Sequence, residues 1–167
     1  MTYKTAYEKT ARFFNARPIA KKCLLLSNLA VTGVFYLAYF SLCIASFFLF
    51  STKDIIKIFA IPVLCLLIVI LLRVTINRPR PYSEKGANIE PILHKKSKDK
   101  ESFPSRHLAS AFVIACVFFP FLTWAGILLT AFGVLLGFIR FALGLHYPTD
   151  LLGGMGVGLL CGLLMLI

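Results

Sequence analysis

Two stretches of this chain run without a charge for lengths that only a bilayer explains easily. Residues 23–50 hold 28 positions, and residues 108–139 hold 32, without one Asp, Glu, Lys or Arg. At the helical rise the first would be about 42 Å long, enough to cross a bilayer with tilt. The second would be about 48 Å, too long for one ordinary span. Pro120 falls near its middle, so two shorter spans, 105–119 and 122–139, are predicted with a tight turn between them. Residues 55–76 supply another span, with Lys57 and Arg73 able to snorkel and Pro62 near its first turns. A last span opens at Pro148, which suits a first helical position, and runs to residue 167. The sequence therefore predicts an all-α, polytopic transmembrane bundle of about five spans. Its 59% apolar composition exceeds what soluble domains carry.

Residues 1–22 place Tyr3, Tyr7, Ala11 and Phe14 at helical spacing, with Lys4, Lys9 and Arg12 between them. That pattern predicts an amphipathic helix lying at the membrane surface. It is too polar for a cleavable signal peptide. The expected division is a basic amphipathic segment, 1–22, and a membrane-embedded domain, 23–167. Cys23, Cys43, Cys65, Cys116 and Cys161 lack metal or redox spacing and are read as buried small hydrophobes. Gly154, Gly158 and Gly162 recur every fourth residue, a face for close helix approach. A dinucleotide loop is excluded, because no strand precedes them. Residues 77–104, broken by prolines and by a lysine-rich run over 95–101, read as a solvated loop. His94, within that loop, is given no role.

The chain carries 18 Lys and Arg against 7 Asp and Glu, a net charge of +11. An anionic partner follows, either phospholipid headgroups or a phosphorylated substrate. No nucleic acid is expected, since so apolar a chain makes a poor soluble reader. Five spans put Arg73, Arg78, Arg80, Ser105, Arg106, His107, Arg140, His146 and Asp150 at one membrane face. Ionisable groups at membrane depth are costly and usually functional. Clustered arginines suit phosphate, and a helix start adds backbone donors. Two histidines can divide the work of nucleophile and general acid. A carboxylate four residues after a histidine can hold its ring in one tautomer. No second carboxylate cluster suits Mg²⁺, so neither metal nor cofactor is expected.

At these residues the sequence resembles the type 2 phosphatidic acid phosphatase (PAP2) superfamily. Arg73, six residues, then Arg80-Pro81 is similar to its first motif, with arginine in place of lysine. Pro104-Ser105-Arg106-His107 is similar to its second, with Arg106 in place of glycine. Ile139-Arg140, five residues, His146, three residues, Asp150 is similar to its third, with Ile139 in place of serine. The resemblance implies a lipid phosphate phosphatase that needs no metal, with a membrane lipid phosphate as substrate. His146 would be the nucleophile, forming a phosphohistidine. Asp150 would orient His146, and His107 would protonate the leaving oxygen and then activate water. Arg73, Arg80, Arg140, Ser105 and the backbone N–H of Arg106 would cradle the phosphoryl oxygens.

Three departures carry consequences. Arg73 keeps the charge as a planar fork. Ile139 removes a hydroxyl donor, a change of about two orders of magnitude unless another group replaces it. Arg106 adds a cation, and either it or Arg78 is expected to grip a second phosphate in a diphosphate substrate. Six Lys and Arg lie in residues 1–22, nine in residues 73–106 and one at Arg140, against Lys53 and Lys57 on the other face. That bias predicts a multi-pass cell-membrane protein whose site faces the cytoplasm. Two alternatives stay open: a non-catalytic protein that binds anionic lipid or transports a phosphorylated solute, and a vanadate-dependent haloperoxidase.

Overall fold

The computed structural model describes residues 3–83, 85–87, 89–93 and 101–167. Among these the ordered elements are helical. They are α1 (Tyr3–Asn15), α2 (Pro18–Leu49), α3 (Thr52–Ile76), α4 (Arg106–Phe118), α5 (Thr123–Ala142) and α6 (Pro148–Gly162), closed by a 3₁₀ turn over Leu163–Leu166. Among the described residues four stretches are long and apolar enough to cross a membrane: α2, α3, α5, and α6 with its 3₁₀ turn. Large side chains such as Leu29, Phe40, Phe48, Leu71 and Phe138 are exposed along them, which is where lipid rather than water must lie.

The expected third span is α4, and it differs from the other four. Its 13 residues make a helix of about 20 Å, too short to cross alone. It is the central post of the bundle, packed by α2, α3, α5 and α6 and buried along most of its length. The glycine stripe of α6 explains how one neighbour comes so close. A Cβ on Gly154 would lie 2.4 Å from the Ser105 carbonyl oxygen, one on Gly158 2.5 Å from that of Ala109, and one on Gly162 2.3 Å from Cys116 Cβ. These residues admit a neighbouring backbone, as predicted for the stripe.

Several boundaries move. Residues 18–22 belong to α2, so the amphipathic helix ends at Asn15 and not near residue 22. Pro62 sits inside α3, since that helix starts at Thr52. A membrane helix accommodates it because neighbours and local adjustments re-satisfy the freed carbonyl. Arg140 lies within the last turn of α5, beyond the predicted end at 139. Cys65 and Cys161 are buried, whereas Cys43 and Cys116 are half-buried and Cys23 is exposed, so burial holds for only part of the cysteine set. The apolar stripe of α1 turns inward: Tyr7 and Ala11 are buried, and Tyr3 and Phe14 pack against the core. Its hydrophobic face is therefore covered by protein and not by lipid.

The described part of the stretch from 77 to 104 is less solvated than its composition suggests. Arg80, Pro81, Ser83, Ile89, Ile92, Ser102 and Pro104 are all buried. His94 and the lysines of the 95–101 run lie outside the described residues.

Candidate active site

The end of α3, the start of α4, the end of α5 and the start of α6 bring polar residues to one side of the bundle. Helix α3 stops at Asn77, which takes the left-handed conformation (φ 45°) and returns its N–H to the Arg73 carbonyl at 3.0 Å. Asparagine tolerates that conformation better than most residues. The turn leaves Arg73 on the last helical turn and swings Arg78 and Arg80 across the bundle end. Arg80 is pinned through its backbone, where its carbonyl accepts from the Ser83 N–H (3.1 Å) and hydroxyl (2.8 Å). Ser105 caps α4 and receives the Asp150 carbonyl on its N–H at 2.9 Å, so the starts of α4 and α6 are locked together. Arg73 adds a second tie by donating to the Pro104 carbonyl at 3.0 Å.

Arg73, Arg80, Arg106, His107, Arg140, Leu145 and His146 line one cavity of about 140 Å³. At roughly 30 Å³ per water-sized group, it holds one tetrahedral oxyanion and little more. The proposed nucleophile, general acid and four cations thus converge from residues 73 to 146. Arg73, Arg80, Arg140 and His146 are each at most 8% exposed, and cations so buried and so close ask for an anion between them. Two buried donors, Ser105 Oγ and Arg140 Nε, have no hydrogen-bond partner among the described residues, although buried polar atoms are nearly always satisfied. Ile139 is buried in the hydrophobic core and does not line the cavity.

A second cavity, of about 400 Å³, adjoins the first through Arg106 and His107. Thr32, Phe35 and Tyr36 of α2, Leu66 of α3 and Ile114 of α4 also line it. Arg106 itself is exposed and stands where the two cavities meet.

Two groups face the Nδ1 edge of the His146 ring. Its Nδ1 lies 3.0 Å from the Ser102 carbonyl oxygen, but 3.7 Å from Asp150 Oδ2. A carbonyl can only accept, so Nδ1 carries the proton and Nε2 keeps its lone pair. Asp150 acts one step behind. It is fully buried, accepts from the Ser102 hydroxyl and the Tyr147 N–H, and pairs with Arg78 at 2.8 Å. Arg78 also donates to Thr149 Oγ1 at 2.7 Å and lies over the Tyr147 ring. Of the two residues expected to reach a second phosphate, Arg78 is therefore engaged by Asp150 and only Arg106 borders the cavity.

Ser102 is the residue that sequence reasoning missed. Its N–H bonds the Arg78 carbonyl at 2.9 Å, its carbonyl takes the His146 ring and its hydroxyl takes Asp150. Burial pushes the His146 imidazole down to about 4, aided by Arg80 and Arg140 and opposed by Asp150. The ring is neutral at pH 7, the state a nitrogen nucleophile needs.

The sequence profile of the PAP2 superfamily matches residues 54–167. The chain belongs to this superfamily. Relatives extend the match over the helices. The crystal structure of LpxE from Aquifex aeolicus superposes with a TM-score of 0.71 at 25% identity, over 95% of this chain and 93% of that one. A transmembrane PAP2-type phosphatidylglycerolphosphate phosphatase from Bacillus subtilis gives 0.62 at 25% identity, over 98% and 94%. A putative undecaprenyl-diphosphatase, YbjG of Escherichia coli K12, is 37% identical over 83 residues, 48% of this chain. That alignment spans only 39% of the relative's own length. The fold is thus that of PAP2 membrane phosphatases, and the multi-pass membrane placement agrees with it.

Proposed function

We propose that this protein hydrolyses the phosphate of a membrane lipid through a phosphohistidine on His146. The observation that carries the proposal is the shared cavity in which His146, His107 and four arginines meet. The free lone pair of His146 Nε2 attacks phosphorus from one side. The bond from phosphorus to the lipid oxygen breaks on the other, and that oxygen takes its electrons and a proton from the His107 imidazolium. Arg73, Arg80 and Arg140 hold the equatorial oxygens and offset the charge of the five-coordinate transition state. In the second half neutral His107 takes a proton from water, whose oxygen attacks phosphorus. The P–N bond then breaks, releasing phosphate and restoring neutral His146. Ser102 keeps the proton on Nδ1 throughout, and Asp150 fixes Ser102 and stabilises the charged phosphohistidine.

The size of the two cavities supports an amphiphilic substrate. The smaller takes the phosphoryl group, and the leaving group continues past His107 into the larger, along α2 and α4. With a diphosphate, the second phosphate falls at the junction beside Arg106. That position and the similarity to a putative undecaprenyl-diphosphatase favour a polyprenyl diphosphate over phosphatidic acid or phosphatidylglycerol phosphate. Phosphate release from detergent-solubilised protein tests the reaction: activity is expected in wild type and absent in His146→Ala, and full activity in the variant would refute the mechanism. Arg106→Gly should depress hydrolysis of a diphosphate lipid more than of the matching monophosphate; equal losses would remove the diphosphate preference.

From the charge bias we infer a site on the cytoplasmic face. Helix α1, which carries Lys4, Lys9 and Arg12, packs beside the site through the Tyr3 contact to the His146 carbonyl at 3.4 Å, in keeping with this. A cysteine introduced for Ser97 should resist impermeant thiol reagents in intact cells, and labelling would reverse the orientation.

A further inference from the structure

The geometry points to Tyr7 of α1 as a positioning residue that fixes the distance between Arg80 and His146. The inference rests on the phosphatase reading of that site. Arg80 and His146 sit on different backbone segments, the turn after α3 and the loop between α5 and α6. Tyr7 is 1% exposed and links the two, meeting the second directly and the first through residues 89–92. Its hydroxyl donates to the Glu90 carbonyl at 2.9 Å and accepts from the Ile92 N–H at 3.1 Å. The 89–92 segment is in turn folded back on the arginine turn, through Ile89 N–H to the Pro81 carbonyl at 3.3 Å.

The hydroxyl end of the Tyr7 ring also abuts Gly144, two residues before His146. A Cβ there would fall 2.7 Å from the ring, and Gly144 has φ +74°, a conformation that favours glycine. Tyr3, one turn earlier, extends the contact. Its ring meets Tyr147 at 4.8 Å and the edge of Phe141 at 5.9 Å. One buried phenol thus sets how far the phosphate-binding turn stands from the nucleophile's loop. Its hydroxyl fixes the first by hydrogen bonds, and its ring fixes the second by contact.

Such a residue acts on the transition state more than on substrate binding. Arginines slightly out of register still attract the ground-state phosphate, whereas the equatorial oxygens of the five-coordinate state need them in place. Tyr7→Phe keeps the ring and removes the two hydroxyl bonds. Steady-state kinetics of the full chain on a diphosphate lipid should give kcat lower by about tenfold, with KM within about threefold. Vanadate, an analogue of the five-coordinate state, should inhibit correspondingly less well. In an Arg80→Lys background the same change should cost less than about threefold, because residues acting through one another are non-additive. Additive losses would overturn the inference, as would a loss in KM alone, or a kcat loss matched by the fraction of unfolded protein in a thermal melt. An inactive wild type would sink the phosphatase reading instead. Should Tyr7→Phe fold poorly, Tyr3→Phe, which loses the 3.4 Å contact to the His146 carbonyl, should show the same pattern at smaller size. Wild-type kinetics in that variant would refute the role of α1.

Discussion

Acidification is the most informative perturbation, because His146 titrates differently in folded and unfolded chains. An unfolded histidine takes its proton near pH 6.5, and burial pushes the folded ring down to about 4. Between those values the unfolded state binds more protons, so stability falls as pH falls. The contribution is complete above pH 6.5, shrinks on the way down to about 4, and amounts to about 3 kcal/mol at 1.36 kcal/mol per unit. Catalysis follows the same ring, so loss of the nucleophile's lone pair should set an acid limb near pH 4 and not near 6.5. The chain holds only three histidines, which makes ¹⁵N-histidine NMR of the detergent-solubilised protein tractable. One ring should keep its Nδ1–H, bare-Nε2 signature down to about pH 4. It should vanish in His146→Ala. A His146 ring that protonates near pH 6.5, or carries its proton on Nε2, would refute both the burial argument and the Ser102 carbonyl as its partner.

Asp150→Asn should lower kcat by at least about 100-fold, since it turns charge-assisted bonds to Ser102, Tyr147 and Arg78, each worth about 1.5–3 kcal/mol, into mismatched ones. The His146 tautomer should nonetheless survive in the NMR spectrum, because the Ser102 carbonyl is untouched. Arg140→Gln should reduce kcat by about 10²- to 10³-fold, the usual effect of removing one donor from a transition-state oxyanion site, measured by phosphate release. Gly154→Ala should cost about 1–3 kcal/mol by overpacking, seen as a lower melting temperature. Its activity should fall further than folding alone explains, since the new methyl meets the carbonyl of Ser105 beside the site.

Much of the site could be read from side-chain spacing. Arg73, Arg80, Arg106, His107, Arg140 and His146 were all expected together, and the structure gathers them around one cavity. Asp150 does stand beside the His146 ring, 3.7 Å from Nδ1, and the nearer partner of that nitrogen is a backbone carbonyl. Any residue supplies a carbonyl, so no side-chain pattern could have marked Ser102. The α1 stripe illustrates a related blindness. Periodicity revealed that one face of the helix is apolar, while the choice between lipid and the protein's own loops depends on tertiary contacts such as Tyr7 on Gly144. Arg78 and Arg106 looked equivalent as extra cations. Only the fold distinguishes an arginine beside Asp150 from one at a cavity mouth. The 32-residue charge-free run divided where Pro120 suggested, yet its first half needed no lipid-facing length, because four neighbours wrap it.

The short central post has a consequence for where such a protein can work. Hydrophobic mismatch with the host bilayer is absorbed by helices that touch lipid, through tilt or local deformation. Helix α4 presents little surface to lipid, and its start carries Arg106 and His107, held to α6 through the Ser105 N–H and the Asp150 carbonyl. A thicker or thinner membrane therefore strains the outer ring first and reaches the reacting groups last, which would let one such catalyst serve membranes of unequal depth.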